Sequence, residues 1–319
     1  MAEQLGFDEI RGRALNFLGV SAVKLGDLEG LTDIERSIEL TSESPGERLR
    51  GLINLASMLG ELGELTRSME LHEQGLREAE QMGVLDPLWW LRAERSWDEY
   101  LSGRWPEALA HAGEFLAEVG AGRVHYMEGT PFVVRGLIRL ARGEGTGALA
   151  DTERVLAHSR AAQDPQLLHP SLAFHSHVLL ACGRRQDAEP LVDELLERLR
   201  ASRSSTLSYW VVPFAVVLAA LGRPDELEEL ARSAIVSTRW LDAAQAYGAG
   251  RFEEAAAIHA DIGCIPEEAF ARLRAAEALV DEGRRAEADA QLEQALAFYR
   301  SVGATAYIRE AEGLFAASA

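Results

Sequence analysis

The side chains best able to do chemistry in this sequence are a histidine cluster, runs of paired carboxylates and an uneven set of aromatic residues. The histidines gather once, as His169, His175 and His177 in HPSLAFHSH. A metal site on a helix needs ligands three or four residues apart on one face. His175 and His177 point to opposed sides, and His169 precedes Pro170, which places it outside the helix. The reading is therefore packed or solvated imidazoles, with no metal. Carboxylate pairs such as Asp225-Glu226 and Glu253-Glu254 fall where helices begin, favoured by the positive end of the helix dipole. They carry no acid–base signal without a cleft to shift a pKa. Gly143-Glu144-Gly145-Thr146-Gly147 follows no strand and lacks the lysine of a phosphate cradle. No metalloprotease pair or nucleophile elbow occurs. These patterns point away from an enzyme and call for no cofactor.

The aromatic residues are more informative. Of six tryptophans, Trp89, Trp90, Trp97 and Trp105 lie within 17 residues of one another. Such anchors dominate binding interfaces when they stand on one surface.

Composition narrows the setting. The chain has 319 residues with 51 acidic against 32 basic ones, a formal charge of −19. That field disfavours direct binding to nucleic acid or an anionic membrane surface. All the basic residues except Lys24 are arginines. The cysteines, Cys182 and Cys264, stand 82 residues apart without ligand spacing, which suggests free thiols in a reducing compartment. The N-terminal MAEQLGFDEI has no basic and apolar leader pattern. The apolar run Leu207 to Leu221, broken by Pro213, is too short for a membrane span and reads as a buried helix. The expected setting is cytoplasmic.

The elements that must position these side chains emerge from an internal period. Gly26, Gly63, Gly103, Gly143, Gly183, Gly222, Gly250 and Gly283 each follow one apolar-periodic stretch and precede another, with intervals of 37, 40, 40, 40, 39, 28 and 33 residues. Seven residues before each stands Gly19, Ala56, Ser96, Gly136, Ser176, Ala215, Ala243 or Ala276, all small. Five residues after each stands Leu31, Ser68, Ala108, Ala148, Ala188, Leu227, Ala255 or Ala288. This is the pattern of a helix–turn–helix pair. The glycine ends the first helix, and a small residue on each helix lets the axes approach. Asp86-Pro87-Leu88-Trp89 reads as one such helix start. No stretch alternates as a strand would, so the chain reads as all-α.

These columns resemble the tetratricopeptide repeat (TPR), as in Leu55-Ala56 to Gly63-Glu64, Gly250-Arg251-Phe252-Glu253-Glu254-Ala255 and Gly283-Arg284-Arg285-Ala286-Glu287-Ala288. The resemblance covers nearly the whole chain, although the period is closer to 40 than 34 and the unit around Gly250 is short. It implies one array over residues 1–319: a right-handed α-solenoid of about eight TPR-like pairs, with residues 304–317 as a capping helix. Long, irregular units of this kind look like the C-terminal arrays of bacterial signalling ATPases and of adenylate-cyclase-type and LuxR-type transcriptional regulators. The stretch from Ala297 to Ala304, followed by Tyr307 to Glu312, resembles the end of such arrays. Ala2-Glu3-Gln4-Leu5-Gly6 nearly repeats as Ala79-Glu80-Gln81-Met82-Gly83, the close of a second helix. By that analogy the chain starts part-way through a pair, and an ATPase or cyclase domain is expected upstream.

In TPR-like arrays the first helix of each pair lines the concave face. Carried onto this sequence, the lining positions stand thirteen, ten, six and three residues before each turn glycine. They include Trp90, Trp97 and Tyr100, Leu137, Tyr209 and Val212, and Trp240 and Tyr247. Two arrangements are open. Either these residues form an apolar groove for a protein or peptide ligand, or a tighter superhelix buries them against each other. The expected function is a non-enzymatic protein- or peptide-binding scaffold in signal transduction. The alternative is a small-molecule or peptide-signal sensor that changes superhelical shape on binding.

Overall fold

The structure, a computed structural model, describes residues 7–201 and 206–316. The analogous N-terminal segment Ala2–Gly6 and residue 317 of the expected cap lie outside them. Among the described residues there are helices and turns and no strand. The helices follow one another as pairs: α1 (Asp8–Lys24) with α2 (Gly30–Leu40), α3 (Pro45–Leu62) with α4 (Leu65–Met82), α5 (Leu85–Leu101) with α6 (Trp105–Gly120) and α7 (Gly129–Ala141) with α8 (Gly145–Ala162). The series continues with α9 (Pro165–Ala181) and α10 (Arg185–Ala201), α11 (Val211–Leu221) and α12 (Pro224–Ser233), α13 (Arg239–Gly248) and α14 (Phe252–Ile262), and α15 (Ile265–Asp281) and α16 (Arg285–Val302). A single helix, α17 (Thr305–Ala316), follows. The chain is thus an all-α repeat solenoid. No helix among the described residues is long and apolar enough to cross a membrane.

Each of the eight turn glycines takes a left-handed φ between 73° and 96°, a conformation that costs other residues about 1–2 kcal/mol. The small residues do what close approach requires. A β-carbon on Gly19 would come within 2.5 Å of the Gly30 carbonyl. In the second pair, Ser68 Oγ donates to the Ala56 carbonyl at 2.8 Å, joining the two small columns directly. Two sequence expectations shift at helix starts. Asp86 lies inside α5, whose cap position is Val84. His169 and Pro170 lie inside α9, because Asp164 caps that helix earlier by accepting from the Gln166 N–H at 2.9 Å.

The array does not stay open. The first helix of a pair meets the helix five pairs further on: α3 packs on α13, α5 on α15, and α7 on α17. The turns of the first four pairs form one side of this seam. Gly26 faces Ile235, Gly63 faces Arg239 and Ile262, Gly103 faces Ile265 and Phe298, and Gly143 faces Ala306 and Arg309. The Trp240 indole N–H donates to the Gly60 carbonyl at 2.8 Å across the seam. At its far end Thr305 Oγ1 donates to the Arg142 carbonyl at 2.7 Å, and Arg142 donates to the Val302 carbonyl at 3.2 Å. Helix α17 therefore contacts an early pair as well as its own neighbours, and the concave face is enclosed.

Candidate functional site

Enclosure leaves two cavities on the concave face. The larger, of about 590 Å³, falls in the range of small-molecule sites. Its walls are α1, α3, α4, α5, α7, α8 and α9, the stretch of Tyr126 and Met127, the segment Thr206–Trp210, and Trp240 of α13. The α5 wall is one stripe at helical spacing: Trp90, Glu94, Trp97, Asp98 and Leu101. Beside it stand Asn54, Ser57, Met58 and Glu61 of α3 and Val20 and Lys24 of α1.

Seven aromatic side chains border this chamber: Trp90, Trp97, Tyr126, Phe174, Tyr209, Trp210 and Trp240. Trp97 is the hub. Its ring centroid lies 5.1 Å from Tyr209, 5.9 Å from Phe174 and 5.4 Å from Tyr100. Trp90 stacks on Tyr126 at 5.6 Å, and the Tyr126 hydroxyl donates to Asp164 at 2.8 Å. These contacts fix the rings as walls.

The polar groups are held among the rings. His72 Nδ1 lies 2.9 Å from Asp98 Oδ2, while His72 Nε2 is buried without a partner among the described residues. Burial opposes the charge on His72, but Asp98 and Glu94 together prevail and raise its pKa to about 9. Burial likewise pushes the Glu94 carboxyl up to about 7, against the pull of His72. The Trp90 indole favours the charged form of Glu94, yet its N–H meets no hydrogen-bond geometry. Burial also raises Glu61, and Lys24 and Thr206 oppose that rise. The Tyr209 phenol is raised by burial first, then by the charges of Glu94 and Glu61. The two carboxylates, from neighbouring helices, thus converge on the region around Tyr209.

The eight residues expected to line a single groove are divided. Trp90, Trp97, Tyr209 and Trp240 border the chamber. Tyr100 and Leu137 instead border the second cavity, of about 30 Å³. Val212 is 2 % exposed and sits in the main core. Tyr247 packs against Phe252 and Phe270 in a separate cluster. The open groove is thereby corrected, and the reason is the seam: the helix five pairs away occupies the space in which a groove would lie. The expected lining register is also rotated. Ala93, ten before Gly103, is fully buried, and the chamber is faced by positions thirteen, nine, six, five and two before that glycine. The rotation brings in Glu94 and, in the second pair, Asn54 and Glu61, which the sequence reading passed over. The signal available was the spacing of Glu94, four after Trp90 and three before Trp97.

His169, His175 and His177 share α9 without converging. His169 borders the chamber, His175 Nδ1 lies 2.8 Å from Thr152 Oγ1, and His177 borders the small cavity. No group of three or more His, Cys, Asp or Glu among the described residues is arranged to hold a metal ion.

The sequence matches no protein-family model and no curated protein. Among solved structures the chain is similar to a tetratricopeptide repeat protein from Parabacteroides merdae ATCC 43184. The two share 12 % identity and a TM-score of 0.38, over 95 % of this chain and 99 % of that one.

Proposed function

We propose that this chain is a sensor module: a closed α-solenoid that takes a small molecule, or the end of a peptide, into the chamber. The chamber itself carries the reading, because its volume is that of a ligand site and its walls come from both sides of the seam. A ligand touching α3 and α5 on one side and Tyr209 and Trp240 on the other adds contacts that exist only while the array is closed. Occupancy would then shift the balance between closed and opened superhelix, and so signal to whatever the module is attached to.

Screening a chemically diverse metabolite library by thermal denaturation tests this reading. A saturating ligand at about a hundred times its Kd stabilises by about 2.7 kcal/mol. The expected result is at least one saturable rise in Tm that disappears in Thr130→Trp, which puts an indole into the chamber. A library without any such ligand would overturn the reading.

A second reading, a protein-binding scaffold, has its own observation. On the first pair, Phe7, Ile10, Phe17, Leu18, Leu25 and Leu28 are each more than half exposed. Patches of this kind mark protein interaction sites. Sedimentation of wild type and Phe17→Glu/Leu18→Glu, with and without a candidate regulator domain, separates the readings. Association lost in the variant supports the scaffold, and association unchanged removes this patch from it.

A further inference from the structure

Three features of the chamber wall are unusual together. Its ionisable groups include four carboxylates, Glu61, Glu94, Asp98 and Asp164, against two cationic side chains, Lys24 and His72, with His158 and His169 as further imidazoles. Among the described residues, none of the arginines that pair with carboxylates over the rest of the surface borders it. Of the four carboxylates, Asp98 is engaged by His72, and Asp164 by Tyr126 and the α9 cap. Glu94 and Glu61 are left. Among the described residues Glu94 makes no salt bridge, and Glu61 makes none either, with the Lys24 charge and Thr206 near it.

Buried carboxylates without a salt-bridge partner are costly unless something compensates them. Beside them stand the rings of Trp97 and Tyr209, whose negative π-faces attract cations most strongly where water is excluded. Two donors in the same wall, His72 Nε2 and Trp90 Nε1, also meet no hydrogen-bond geometry among the described residues, and the His72 side chain is more than nine-tenths buried. The wall therefore offers negative charge, aromatic faces and unmet hydrogen-bond donors within one space.

We propose that the chamber binds a small organic cation, an ammonium or guanidinium with a hydrogen-bond acceptor near its charge. Glu94 and Glu61 hold the charge, Trp97 and Tyr209 wall it, and His72 and Trp90 donate to the acceptor. This rests on the sensor reading and gives it a ligand class. The formal charge of −19 draws such a cation toward the protein from solution.

The test is a calorimetric titration with probes matched for shape and differing in charge. Choline is compared with its neutral carbon isostere, in which a quaternary carbon replaces the nitrogen, and agmatine supplies a guanidinium. A lysine-containing tripeptide and its fully acetylated form separate a peptide source from a free amine. The cationic member of at least one pair should bind saturably and at least about tenfold more tightly than its neutral partner. Glu94→Gln and Glu61→Gln should each abolish that preference, with unfolding curves showing that both variants fold. Glu267→Gln, in the small cavity, should leave it unchanged. Equal binding of charged and neutral partners, or no saturable binding of any cation, overturns the cation proposal. If the diverse library nevertheless yields a neutral or anionic ligand lost in Thr130→Trp, the sensor reading stands without it.

Discussion

The two cavities are cut into the same concave face and end in opposite conditions. In the small one the space is filled from all sides: Tyr100, Phe174, Phe270, Tyr299 and Tyr307 crowd in, with Pro213 and Pro266, and leave about 30 Å³, the size of one water. In the large one the helices opposite present Asn54, Ser57, Thr130 and Ser171, and about 590 Å³ stays open. Each cavity contains a glutamate, Glu267 in the first and Glu94 in the second, and burial pushes each up to about 7. Similar upward shifts, with burial the largest cause of each, thus accompany very different room. The comparison teaches that a shifted carboxyl marks burial, whereas a shifted carboxyl facing ligand-sized space, aromatic walls and unpartnered donors marks a site.

The comparison breaks most directly if the seam is opened. Trp240 is 1 % exposed and bridges to Gly60 at the chamber edge. Trp240→Ala should cost about 3–5 kcal/mol in urea unfolding and abolish chamber binding, while the small cavity, sealed by α15 and α17, keeps its packing. An unchanged unfolding midpoint would show that the seam carries little of the fold.

Next in size is the pH response of the two glutamates. The folded pKa of each lies above the ordinary carboxylate value, so the folded chain holds the proton more tightly. Their contribution to stability is complete below about pH 4.5 and is lost as pH rises through about 7. Glu267→Gln should therefore leave stability near its wild-type value at pH 4 and raise it at pH 9, by up to about 3 kcal/mol. Glu94→Gln should behave alike in stability but, unlike Glu267→Gln, should change ligand binding. Denaturant midpoints measured across this range check both signs.

His72 gives a smaller, local effect. Its raised pKa means stability present below about 6.5 and lost as pH rises through about 9. Removing the charge of its partner in Asp98→Asn should bring the imidazole pKa down by more than one unit, read from its NMR titration. A pKa that stays near 9 would assign the shift to Glu94 instead.

The smallest effect compares two turn glycines of nearly equal φ, Gly103 at 74° and Gly183 at 75°. Gly183→Ala should cost about 1 kcal/mol from backbone strain alone, since nothing lies near its β-carbon. Gly103→Ala should cost more, because its β-carbon would lie 3.0 Å from Phe298 across the seam. Equal costs would mean that the seam yields freely at this point.

Local chemistry was what the sequence displayed. The turn glycines and the small columns report the end of one helix and its contact with the next, interactions that span a dozen residues, and they place the helix pairs. The enclosure was hidden because it depends on how small rotations between successive pairs accumulate until α3 reaches α13, and no residue spacing encodes that sum. The candidate site was legible in halves. Trp90 and Trp97 stand out by type, but Glu94 and Glu61 look like any solvated glutamate until the seam removes the solvent. A rotation of the inward face by one residue or so moves Val212 from lining to core and leaves Tyr100 on the smaller cavity.

The most direct test of the account is the radius of gyration in solution by small-angle X-ray scattering. An array that closes on itself after five pairs should give a value near that of a compact chain of this length, about 20 Å. A value well above this, as from an extended open array, would contradict the closure and with it the chamber.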